Sequence, residues 1–251
     1  MKNIFKKLSC ALLAAAMICA ITPFTASADS SFVPPKTQVS YMGAKSNYYA
    51  YGVIQLYNVP SKSSISKSNI KVISGKSVVS LESLTKDVSS GRTEYFAKGV
   101  KAYSYSNHTY RIGYNMLKTG TAKIQYKVGR KTYSTTVKVL PYTNPLKSLT
   151  VTGVGNLASR FSKNSSASNL RIKKVQSNAL IKCTAASGWK IESIYYYNKK
   201  TGISRNIYSN KGVSSVTLHA GTLAAKQTGY ISVNLTNTKT GGSQNCYIDL
   251  S

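Results

Sequence analysis

Residues 121–139 alternate apolar and polar side chains almost one for one, and no repeat constrains a fold more tightly. Ala122, Ile124, Tyr126 and Val128 are separated by Lys123, Gln125 and Lys127. Tyr133, Thr135, Val137 and Val139 are then separated by Ser134, Thr136 and Lys138, with Thr132 leading in on the polar side. Successive side chains of an extended chain point to opposite faces, so this period of two predicts two half-buried strands. Val128-Gly129-Arg130-Lys131 supplies the turn between them, and the unit reads as an antiparallel hairpin. Nowhere does a long segment carry apolar residues at helical spacing, which makes the expected fold all-β.

Further short runs rich in Val, Ile and Tyr occupy 49–59, 70–74, 78–84, 93–97 and 103–114. Pro141-Tyr142-Thr143-Asn144-Pro145 interrupts them, because two prolines remove backbone donors and resist a paired strand. The pattern resumes at 149–154, 170–175, 179–185, 189–197, 203–208, 213–218, 229–235 and 245–250, closing on a hairpin with its loop at 238–242. The organisation expected is a β-sandwich over 37–141, a linker over 142–147 and a second β-sandwich over 148–251.

At the N-terminus, Lys2, Lys6 and Lys7 precede an apolar stretch from Leu8 to Ile21, and Ala26-Ser27-Ala28 fits a small-residue cleavage site. This reads as a cleaved signal peptide, 1–28, too short in its apolar part for a membrane span. Cys10 and Cys19 lack the setting of a lipid attachment site. Residues 29–36, with Pro34-Pro35, read as a flexible leader. Three of the 34 basic residues fall in the signal, leaving 31 against 6 acidic ones, a net charge of +25. Such an excess suits polyanionic partners.

Cys183 and Cys246 are the cysteines left after processing, and alternation points both toward a core. Export to an oxidising compartment favours a disulfide between them; two buried free thiols is the other reading.

Residues 118–140 resemble the closing hairpin of bacterial immunoglobulin-like domains, modules of secreted and surface proteins. Ile73-Ser74-Gly75-Lys76-Ser77-Val78-Val79-Ser80-Leu81 is similar to that family's central stretch, without its usual Trp. The resemblance implies two tandem immunoglobulin-like antiparallel sandwiches. In the second half, the order Cys183, Trp189, Cys246 resembles antibody-type domains, but Cys246 falls on the last expected strand and the family's cysteine lies one strand earlier.

Catalytic chemistry finds little material. His108 and His219 stand in different halves, no G-x-S-x-G elbow occurs, and Glu82 with Asp87 is the one close carboxylate pair. No Cys/His cluster has metal-ligand spacing, and there is neither a P-loop nor a dinucleotide fingerprint. The expectation is a protein that is not an enzyme and uses no cofactor or metal.

Lysine and tyrosine remain. Lys123, Lys127 and Lys138 should face outward on the closing hairpin, with Arg130 and Lys131 at its turn. Of nineteen tyrosines, ten are concentrated at 48–51, 103–114 and 195–197. In Tyr195-Tyr196-Tyr197, parity with Trp189 and Ile191 sends the outer two inward and leaves Tyr196 outward, beside Lys199 and Lys200. The function expected is a secreted, non-catalytic adhesion protein held by charge to an anionic cell-wall polymer or host glycan. The alternative is a neutral-polysaccharide module using exposed tyrosines such as Tyr196. Nucleic acid would bind only non-specifically, at low salt.

Overall fold

The structure is a computed structural model that describes residues 32–44, 51–93 and 103–251. The expected signal 1–28, the start of the leader at 29–31, Tyr48-Tyr49 and the strand residues expected over 94–97 lie outside the described residues. Among the described residues, seven strands come from the first half: β1 (Thr37–Met42), β2 (Tyr51–Pro60), β3 (Lys71–Ser74), β4 (Val79–Thr93), β5 (Tyr103–Met116), β6 (Gly120–Val128) and β7 (Lys131–Pro141). Nine follow: β8 (Leu146–Val151), β9 (Gly155–Asn156), β10 (Ser166–Leu170), β11 (Gln176–Ala185), β12 (Trp189–Asn198), β13 (Ser204–Val213), β14 (Ser215–Leu223), β15 (Gly229–Asn237) and β16 (Ser243–Leu250).

They form four sheets, ordered β1-β7-β6-β3, β2-β5-β4, β14-β11-β8-β9 and β10-β16-β15-β12-β13. The chain is all-β and its sheets have the immunoglobulin-like arrangement: in the second half β11, β8 and β14 form one layer, and β12, β15 and β16 the other. The pairing is antiparallel with two exceptions. β1 runs parallel to β7 and β10 parallel to β16, so in each half an early strand lies along the last one. The β6–β7 hairpin is in the expected register, with Val128 opposite Lys131 and Gly129 at φ +58°, the conformation a two-residue turn needs at its first position.

The first core is built on Ile54, Leu56, Ile112, Ile124, Val137 and Val139, each at most 1% exposed. The second is one apolar cluster drawn from both of its sheets, including Leu149, Ile181, Cys183, Ile194, Val233, Cys246 and Ile248. Burying a side chain of this size contributes about 1.5–3 kcal/mol.

Among the differences from expectation, three concern buried positions. β1 carries no apolar alternation, because its buried position is Ser40, whose hydroxyl meets the Tyr114 hydroxyl of the opposing sheet at 2.7 Å. β8 begins at Leu146, inside the stretch read as a linker; Leu146 is buried and pairs with Ala185. Residues 170–175 do alternate, with Leu170 and Ile172 buried, but strand pairing stops at Leu170. The Ile172 carbonyl instead accepts from the Lys226 amide of a loop, at 2.9 Å.

Gly52 pairs directly with Tyr114, and the Tyr114 ring occupies the place a side chain at 52 would take. Gly52→Ala is therefore expected to destabilise the protein by about 1–3 kcal/mol through overpacking. An unchanged urea midpoint for that variant would refute the assignment.

Candidate functional site

Regular alternation in β6 and β7 places Lys123, Lys127 and Lys138 on the outer face of their sheet, all exposed. Arg130 sits in the turn and Lys131 just after it, both exposed. The register adds Lys71, which sequence reasoning misses because β3 has only four residues: it lies opposite Gln125, diagonal to Lys123 and Lys127. Lys123 lies opposite Thr136 and so diagonal to Lys138. Diagonal neighbours are about 7–8 Å apart. At that distance two ammonium groups repel by only about 0.6 kcal/mol in water. The four strands of this sheet contain no Asp or Glu. Among the described residues, Lys71, Lys123, Lys127 and Lys138 have no ion-pair partner; Arg111 and Asp87 form an ion pair elsewhere.

The tyrosine expectation is corrected. Tyr196 is 1% exposed, and its hydroxyl accepts from Gln227 Nε2 at 3.0 Å. Tyr195 and Tyr197 are the half-exposed pair. The cause is a β-bulge between Ile191 and Ser193, where the register to both β13 and β15 shifts. One extra residue inverts the facing of everything after it. Trp189 and Ile191 point inward before the bulge; Ile194, Tyr196 and Asn198 do so after it. Lys199 and Lys200 are exposed in the turn that follows, where the Asn198 side-chain oxygen accepts from the Lys200 and Thr201 amides.

On the outer face Tyr230 of β15 meets three other rings: Tyr195 at 5.5 Å, Tyr197 at 5.6 Å and Tyr247 of β16 at 5.2 Å. Desolvation among these rings, then its Tyr195 and Tyr197 neighbours, holds the Tyr230 phenol above its ordinary range.

Cys183 in β11 and Cys246 in β16 both lie in the second core, and the disulfide expected between them is not formed: both are free thiols. As expected, Cys246 lies on the last strand, opposite Val233 of β15. Burial pushes the Cys183 thiol up to about 12 and raises Cys246 as well, with Cys183 adding a smaller like-charge effect. Burial likewise pushes the Tyr114 phenol up to about 12, against the opposing hydrogen bond with Ser40.

The remaining reactive groups are scattered. His108 is buried in β5 and its Nδ1 has no partner among the described residues, whereas His219 is exposed on β14. Glu82 accepts from Asn115 at 2.7 Å, and Asp87 is paired with Arg111. Among the described residues no three His, Cys, Asp or Glu side chains converge as a metal site, and no helix is long and apolar enough to cross a membrane.

No protein-family model matches this sequence, and no curated protein matches it. Similar solved structures include the Yersinia pseudotuberculosis adhesin InvE, 12% identical at a TM-score of 0.21, over 86% of this chain and 57% of that one. Titin domains z1z2 in complex with telethonin are 14% identical at 0.20, over 88% and 94%. Domains 5–6 of the S-layer protein SbsC are 11% identical at 0.22, over 87% and 96%.

Because burial favours the neutral thiol and phenol, the folded values of Cys183 and Tyr114 lie above the unfolded ones near 9.0 and 10.0. Their contribution to stability is whole below about pH 9 and is lost as pH rises toward 12. The urea midpoint should hold steady up to about pH 8 and fall progressively above about pH 9. Cys183 and Cys246 should resist a water-soluble maleimide in the native protein, and both should react in urea without reductant. Failure to react in urea would establish a bridge.

Proposed function

We propose that this chain is an exported, non-catalytic binding protein that attaches to anionic cell-envelope polymers, or to an anionic host glycan, through the outer face of the β1-β7-β6-β3 sheet. On this reading it works as two sandwich domains, over 37–141 and 148–251, and stays at a surface by charge. The observation that carries the proposal is the lysine face itself: Lys71, Lys123, Lys127 and Lys138 stand exposed, Lys71 diagonal to Lys123 and Lys127 and Lys123 diagonal to Lys138, on strands that bear no carboxylate.

The energetics follow from charge density. Each lysine is hydrated and repels its neighbours weakly, so the face loses little by standing open. A polymer with regularly spaced phosphate or carboxylate groups replaces that repulsion by several charge-assisted hydrogen bonds and releases its condensed counterions. Thr, Ser and Gln between the lysines, among them Gln125, Ser134 and Thr136, are half-exposed and offer neutral donors to the same polymer. Arg130 and Lys131 extend the positive field past the end of the sheet.

Four such contacts imply a slope of roughly −3 in log affinity against log salt, a loss of about fifty-fold between 50 and 200 mM. Binding to immobilised polyglycerol phosphate and to heparin, measured across that range, should follow it. The triple variant Lys123→Ala, Lys127→Ala, Lys138→Ala should flatten the slope to about −1. Affinity that is indifferent to salt, or a slope that the triple variant leaves unchanged, refutes the lysine face.

A further inference from the structure

We infer that the outer face of the β10-β16-β15-β12-β13 sheet is a second binding surface, and that its ligand is a neutral, hydroxyl-rich polysaccharide. This goes beyond the lysine face, which lies on a different sheet. The β12 bulge turns Tyr195 and Tyr197 outward, and the register sets Tyr197 opposite Tyr230 and carries the row of Tyr195 through Ser232 to Tyr247. The four rings touch at 5.2–5.6 Å with interplanar angles of 31–49°, overlapping rather than meeting edge-on, and all four are half-exposed. Tyr208 of edge strand β13 lies opposite Ser193, diagonal to Tyr195, and is 63% exposed. From β13 to β16 the strip spans three interstrand spacings, about 14 Å, which is long enough for several sugar rings in a row.

The polar groups between the rings are already held in place. Asn234 donates to Ser193 at 2.8 Å, Asn245 donates to Asn234 at 2.7 Å, and Asn245 and Ser232 bond at 2.9 Å. Ser193 and Ser232 are buried and anchor the amides of Asn234, half-exposed, and Asn245, exposed; flat apolar ring faces beside fixed amides match the two surfaces of a sugar, its C–H face and its hydroxyl edge.

Charge selects among glycans. In a chain with 34 basic and 6 acidic residues, this face carries two of the acids. Asp249 accepts from Tyr247 at 2.8 Å and Glu192 from Thr236 at 2.6 Å. Basic residues are confined to its rim: Lys190 at one end of β12, Lys199 and Lys200 in the turn at the other, and Arg205 and Lys211 on the edge strand. A polyanion would meet the Asp249 carboxylate beside the Tyr247 ring and, among the described residues, basic groups at the rim alone, whereas a neutral sugar meets ring faces and hydrogen-bond acceptors.

The test is retention of the purified protein on cellulose, chitin, xylan and mannan in about 1 M sodium chloride, where charge is screened beyond about 3 Å. At least one should retain it. Tyr230→Ala and Tyr247→Ala should each weaken retention about tenfold. Tyr247→Phe, which keeps the ring, should stay within about twofold, and the triple lysine variant should bind as the native protein does. Circular dichroism checks that each variant is folded; should Tyr230→Ala fail, the exposed edge position carries the test as Tyr208→Ala. Retention by none of the four polysaccharides, or retention that no tyrosine variant alters, overturns the proposal. Concentration-dependent self-association abolished by the same substitutions would also overturn it and assign the face to a second copy of the chain.

Discussion

The two-residue repeat of extended backbone assigns every face of this protein, and its break at one bulge in β12 decides which aromatic rings meet solvent. Without the extra residue at Glu192-Ser193, Tyr195 and Tyr197 would point into the core and Tyr196 outward. The inverted phase is held by a buried polar cluster. Gln227 accepts from the Ala224 amide at 2.8 Å and from Asn198 at 3.2 Å, and donates to the Tyr196 hydroxyl. Leaving any one of these buried groups unpaired would cost about 1–3 kcal/mol. The cluster therefore fixes Tyr196 inside, and the outer tyrosines follow from it by parity.

The same rule explains what the sequence can reveal. In β6 and β7 chemistry and geometry share one period, since apolar residues fall on inward positions for two whole strands without a bulge. Lys123, Lys127 and Lys138 are therefore legible as a face from the order of residues alone. Tyr195-Tyr196-Tyr197 offers three identical residues with no internal phase, so their facing has to be borrowed from Trp189 and Ile191 across a bulge that leaves no mark on the sequence. β1 is illegible for the converse reason: its inward residue is the polar Ser40, satisfied by a tyrosine 74 positions away. Lys71 is invisible because four residues are too few to show alternation. The cysteine positions are legible as inward, but parity says nothing about whether two sulfurs are joined.

Charge segregation follows from the same layout. The acids that the structure describes lie on β4, β12 and β16, and none lies on the lysine sheet. Glu82, Asp87, Glu192 and Asp249 each have a local partner, Asn115, Arg111, Thr236 and Tyr247. Among the described residues, the lysines of the β1-β7-β6-β3 sheet face have no such carboxylate as an ion-pair partner. An acid that neutralised Lys123 or Lys127 would lower the field of that face, and a lysine among the rings of the other face would raise it there. The lysine sheet carries basic residues without acids, whereas the ring face carries two acids and keeps its basic residues at the rim.

These faces are connected by packed residues. Tyr41 belongs to β1, which pairs with β7 of the lysine sheet, and its ring lies 5.2 Å from that of Trp189, on β12 of the tyrosine sheet. Its hydroxyl bonds Thr240 at 2.6 Å, and the Tyr142 hydroxyl donates to the Phe161 carbonyl at 2.7 Å. A free linker would let two sites search independently, with an effective concentration set by linker length. Here the ring pair and these hydrogen bonds join the two halves directly, so the two proposed faces are linked by packed side chains as well as by the chain itself.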